Sequence, residues 1–92
     1  MDISRLDLVK LRHLVAVVDT GSFVRAAEAT GISQPALSKS IRAVEEALGM
    51  QLFERGRAGA RPTRNTEILV AHARAIMAEY DLAAAELHAL GK

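Results

Sequence analysis

Ninety-two residues, half of them hydrophobic, allow one small domain with a modest core. Phe23, Phe53 and Tyr80 are the whole aromatic set, which favours helices over a sandwich or barrel, and the lack of cysteine excludes disulfides and thiolate metal sites. A formal net charge of +1 names no partner. The longest apolar run, Leu14 to Val18, is far too short for a bilayer.

The opening Met-Asp-Ile-Ser-Arg-Leu-Asp has neither the basic nor the apolar region of a signal peptide, so a soluble cytoplasmic protein without membrane contact is expected. Asp7 is placed to cap a first helix. Behind it Leu8, Leu11, Leu14, Val15 and Val18 fall at helical spacing and predict one apolar face. Asp19-Thr20-Gly21 ends that helix, with Gly21 suited to a left-handed terminus. Ser22 caps a second helix whose alanines, Ala26, Ala27 and Ala29, permit close approach of another.

Gly31-Ile32-Ser33 reads as a tight turn, with Ser33 capping a third helix and Pro35 in its first turn, where a missing N–H costs nothing. Leu37, Ile41, Val44 and Leu48 share one buried stripe, and Gly49 stops the helix. Residues 22 to 49 thus predict a helix-turn-helix. Gln51 to Arg55 and Arg61-Pro62-Thr63 flank the loop Gly56-Arg57-Ala58-Gly59-Ala60, which suggests a hairpin, with Pro62 confining its strand to an edge.

A final helix starts at Thr63 or Asn65 and ends before Gly91. Leu69, Ala73, Ile76, Tyr80, Ala83, Leu87 and Leu90 alternate steps of four and three, a 3.5-residue repeat that predicts a dimerisation seam. At ~1.5 Å per residue this helix would run roughly 37 Å. The fold expected is mainly α: three helices, a two-stranded hairpin and a long C-terminal helix.

Subtracting the buried stripe from the third helix leaves Gln34, Pro35, Ser38, Lys39 and Arg42, hydrogen-bonding and cationic groups at the N-terminal half that a recognition helix inserts into the major groove. Gln reads adenine and Lys reads guanine; Ser38 suits a base edge or a phosphate, and Pro35 a thymine methyl. Local charge agrees. Residues 33 to 65 carry six cations against three anions, whereas residues 66 to 92 carry two against four.

Residues 26 to 55, from Ala-Ala-Glu-Ala-Thr-Gly-Ile-Ser-Gln-Pro through Leu-Gly-Met-Gln-Leu-Phe-Glu-Arg, closely resemble the DNA-binding domain of LysR-type transcriptional regulators. Gly21-Ser22-Phe23 and Leu-x-x-Leu-Val-Ala-Val-Val at 11 to 18 resemble it too. The resemblance covers about the first 65 residues. It implies a winged helix-turn-helix over 1–65, a linker helix over 66–92 that pairs two subunits, and an interrupted palindromic operator. It puts Gln34, Pro35, Ser38 and Lys39 in the major groove and a wing arginine in the minor groove. Ser22, Arg25, Ser33, Arg42, Arg55, Arg57, Arg61 and Arg64 are the expected backbone or minor-groove contacts.

The wing departs from the family's Arg-x-x-Arg. Arg55 and Arg57 are separated by one residue, and Ala58 stands where the second arginine is usual, so Arg57 and Arg61 are both candidates for the minor groove. Pro62-Thr63-Arg64-Asn65-Thr66 replaces the usual Leu-Thr-x-Ala-Gly. Members normally continue into an effector-binding domain, so this chain is expected to be a piece of a longer protein, the alternative being an unusually short member, with a small-molecule effector and, at full length, tetramers implied. No cofactor is expected within the 92 residues.

Phe23 and Phe53 have apolar neighbours and fit core packing better than base stacking. His13, His72 and His88 lie on different elements without ligand spacing, so no metal is expected. Glu45 and Glu46 point in different directions on a helix and make no acid–base pair; catalysis is not expected. The other reading, a helical interaction module acting through the C-terminal seam, would leave the basic hairpin incidental.

Overall fold

The structure is a computed structural model that describes residues 1–56 and 59–91, with the side chain of Arg55 outside the description. Four helices and one hairpin follow in chain order: α1 (Leu8–Thr20), α2 (Phe23–Thr30), α3 (Gln34–Leu48), β1 (Phe53–Gly56), β2 (Gly59–Pro62) and α4 (Arg64–Leu90). The mainly helical, winged helix-turn-helix arrangement is the one expected.

Local chemistry sets the helix starts. The Asp7 carboxylate accepts the Lys10 backbone N–H at 2.8 Å, and the Ser22 and Ser33 hydroxyls accept those of Arg25 and Ala36, both at 3.2 Å. Each cap satisfies a donor that the first helical turn leaves without a partner. Gly21, Gly31 and Gly49 close α1, α2 and α3 in the left-handed conformation. Ahead of α1 comes a short 3-10 turn, Ile3–Arg5, too short to show a helical period; the Asp2 N–H ties it to the Ala47 carbonyl at 2.7 Å.

The core forms where α1, α2 and α3 meet. Leu14, Val17, Ala26, Leu37, Ile41 and Leu52 have no accessible surface. The predicted α3 stripe is buried in full, as are Leu11, Leu14 and Val15 of α1. Leu8 and Val18 are only half-buried, whereas Val17, outside the predicted face, is fully buried. The cause is that α1 meets α2, α3, α4 and β2, so more than one of its faces is covered. Phe53 is buried and meets Phe23 edge-to-face at 5.7 Å, so these rings belong to the core.

The hairpin is antiparallel, with Phe53 opposite Pro62, Glu54 opposite Arg61, Arg55 opposite Ala60 and Gly56 opposite Gly59. Its base is fastened to α4. The Thr63 N–H donates to the Leu52 carbonyl at 2.9 Å, and the buried Thr66 hydroxyl donates to the same oxygen at 2.5 Å.

One expectation for α4 is corrected. Ala73, read as a seam residue, has no accessible surface because Thr66, Val70, Ala73 and Met77 face the chain's own core. Leu69 packs against that core as well, and Tyr80 lies 5.7 Å from the Arg12 guanidinium. Arg12 also pairs with Asp81 at 2.9 Å, and Arg74 pairs with Asp19, so two ion pairs hold α4 along α1. Ile76, Ala83, Leu87 and Leu90 remain exposed. A stripe as wide as this one can meet two surfaces, and spacing alone does not divide it between them.

Candidate nucleic-acid interface

With Leu37, Ile41, Val44 and Leu48 turned inward, α3 presents a second stripe. Pro35, Ser38, Lys39 and Arg42 occupy positions i, i+3, i+4 and i+7, which is one helix face. Pro35, Lys39 and Arg42 are exposed and Ser38 is half-buried. Gln34 is the exposed first residue of the helix, beside the Ser33 cap. Among the described residues the ion pairs are Lys10–Asp7, Arg12–Asp81 and Arg74–Asp19, so none engages Lys39 or Arg42. Both cations are open to an external anion.

The remaining expected contacts are spread over α2, the start of α3, the hairpin and the start of α4. Ser22 and Ser33 both cap helices, leaving Ser22 half-buried and Ser33 exposed, and Arg25 is exposed in the first turn of α2. Arg61 is exposed on β2, directly across from Glu54, and Arg64 is exposed in the first turn of α4. Arg57 and the Arg55 side chain lie outside the described residues. Their assignments rest on sequence.

The flank of α3 beside the stripe carries two features that the sequence did not signal. His13 Nδ1 and the Ser40 hydroxyl lie 2.7 Å apart, bridging α1 to α3. Lys10 lines an open groove with Lys39, Ala36, Ser40 and Ala43, adding a cation beside the stripe while paired to Asp7 at 3.0 Å. No local pattern signals either, because each joins residues far apart in the chain. Glu45 is likewise structural: its carboxylate accepts the Leu52 N–H at 2.9 Å. Among the described residues no group of three or more His, Cys, Asp or Glu could hold a metal, and no helix is long and apolar enough to cross a membrane.

Burial holds the His13 imidazole below its ordinary pKa, against an opposing pull from Asp7. The native chain therefore resists protonation there, while the unfolded chain takes a proton near 6.5. Stability from this group is full above that value and is lost as pH falls through it. Urea midpoints are expected to fall between pH 7.5 and 5.5, and His13→Gln, which keeps a partner for Ser40, is expected to flatten that slope. Equal slopes in the two proteins would exclude His13 as the cause.

Residues 8–67 match the family model described as bacterial regulatory helix-turn-helix protein, lysR family. The chain belongs to the LysR family. This LysR-family chain is 46% identical over 71 residues to the SDS degradation transcriptional activation protein of Pseudomonas sp. (strain ATCC 19151), covering 77% of this chain and 23% of that protein. It superposes on the BenM DNA-binding domain in complex with catB site 1 DNA with a TM-score of 0.89 at 33% identity, covering 95% of this chain and 98% of that one. Full-length LysG from Corynebacterium glutamicum, with bound effector Arg, gives a TM-score of 0.82 at 31% identity, covering 91% of this chain and 29% of that one. The LysR-family chain thus spans between about a quarter and two-fifths of the length of the curated relatives it matches.

Proposed function

We propose that this chain is the operator-reading part of a LysR-type transcriptional regulator, with residues 1–65 binding duplex DNA and residues 66–92 pairing two copies. The observation that carries the reading is the outward stripe of Pro35, half-buried Ser38, Lys39 and Arg42, with its cations outside the ion pairs among the described residues. Gln34, Pro35, Ser38 and Lys39 read base edges in the major groove. Ser22, Arg25, Ser33, Arg42, Arg55 and Arg64 position the duplex through its phosphates, and Arg57 or Arg61 enters the minor groove. A two-fold pair then selects an interrupted palindrome. The BenM DNA-binding domain, which shares this fold, is bound to DNA in its own structure and supports the reading by likeness.

The same reading makes the protein cytoplasmic and nucleoid-associated, and regulatory rather than catalytic. A small-molecule effector belongs to a further domain of a longer protein, as the effector-bound full-length LysG suggests by analogy. The interaction-module alternative predicts no affinity for DNA.

Titration on duplex DNA at two salt concentrations tests the proposal. Affinity is expected to fall steeply as salt rises, because phosphate contacts release counterions. Lys39→Ala is expected to cost about 1 to 3 kcal/mol on the preferred site and little on random duplex. Equal weakening on both would make Lys39 a phosphate contact, and no binding at either salt concentration would sink the DNA reading.

A further inference from the structure

We propose that the Gly21 carbonyl is a shared anchor that sets the wing at a fixed distance from the recognition helix, with Gly59 as the positioning residue that makes the contact possible. The inference rests on the DNA reading above and deepens it. An isolated two-stranded hairpin is marginal in water, so the orientation of this wing depends on what it docks against. One end is held by Thr63 and Thr66 on the Leu52 carbonyl. The other is held at the α1–α2 corner.

At that corner the Ala60 N–H donates to the Gly21 carbonyl at 3.2 Å. Gly59 crosses the same oxygen at φ +90, so closely that an added Cβ would sit 2.6 Å from it. An L-residue is disfavoured there twice, by the backbone angle and by a backbone atom that cannot swing aside. The corner itself is braced. The Gly21 N–H closes α1 on the Val17 carbonyl at 2.8 Å, the Thr20 hydroxyl accepts the Ser22 N–H at 3.3 Å, and Ser22 at once caps α2. Phe53 of β1 meets Phe23 of α2 beside it, and Ala60 is buried. Hence the peptide that receives the wing leads directly into the helix-turn-helix. A displacement at Gly59 changes where the wing lies relative to α3 without touching either reading surface.

The test is selection from a random duplex pool with the wild-type chain, Gly59→Ala and Val70→Ala, at a temperature where circular dichroism shows all three folded. Val70 is buried on α4, so its truncation lowers stability without pushing on the corner. Wild type is expected to enrich core bases read by α3 together with a flanking A·T preference from the wing. Gly59→Ala is expected to keep the core, lose the flank and bind the wild-type site on the order of tenfold more weakly, the worth of about one lost contact. Val70→Ala is expected to keep both.

A flank retained by Gly59→Ala overturns the anchor. So does a flank lost equally in Val70→Ala, or a wild-type motif with no flank at all. A wild-type chain that enriches no motif overturns the DNA reading and the anchor with it. If Gly59→Ala does not fold, an amide-to-ester change at Ala60 removes the second tie with no added atom, and an unchanged flank in that variant overturns the proposal.

Discussion

Replacing both Ile76 and Leu87 with glutamate is expected to leave the chain monomeric and to weaken binding to a two-half-site duplex by about 10²- to 10⁴-fold, the usual range of avidity from a second linked site. Ile76 is 50% exposed and Leu87 70% exposed, and residues 78 to 90 are exposed throughout, so nothing among the described residues covers this apolar surface. Ile76, Ala83, Leu87 and Leu90 share one side of α4 by helical spacing, and burial, not spacing, separates them from Ala73, which lies on the edge of the same stripe. Four carboxylates across a two-fold contact would meet without counter-ions in a partly dry surface, which is strongly unfavourable. The helix should survive, since its attachment through Thr66, Val70, Ala73, Arg74 and Asp81 is untouched. Sedimentation together with circular dichroism checks both halves. A dimer that persists at micromolar protein would show that the pairing surface lies elsewhere.

Leu37→Ala is expected to destabilise the fold by about 2 to 5 kcal/mol, the transfer and cavity cost of emptying a fully buried leucine site. Domains of this size are stable by only about 5 to 15 kcal/mol, so the loss takes a large share of the whole. The melting temperature should drop by at least about 8 °C, given roughly 4 to 8 °C per kcal/mol in small domains. Leu37 sits between Pro35 and Ser38 in sequence but faces the opposite way, so its loss loosens the helix that carries the polar stripe. Val24→Ala is the control. Val24 is 52% exposed, and its truncation should stay within about 0.5 kcal/mol. Similar melting temperatures for the two variants would contradict the packing of α3.

Both effects trace to features of different visibility. Leu37, Ile41, Val44 and Leu48 announce themselves by spacing, and Asp7, Ser22 and Ser33 by standing just ahead of helical runs. Caps and stripes are legible because they link residues three or four apart. The exposed face of α3 followed from the same spacing by subtraction. The proposed pairing surface did not follow so cleanly. Leu69, Ala73 and Tyr80 satisfy the seam repeat as well as Ile76 and Leu87 do, yet they are engaged by the chain's own core and by Arg12.

Sequence alone determined the capped starts of the first three α-helices, the inward stripe of α3 and the polar face left opposite it, because local hydrogen bonds and helical period leave little choice at those positions. Tertiary structure alone decided which part of the α4 stripe is consumed internally, that His13 bridges to Ser40 across 27 positions, and that Gly59 must pass against the Gly21 carbonyl. These depend on which faces of separate elements meet. Periodicity fixes what lies on a face, but only packing in three dimensions fixes what that face touches.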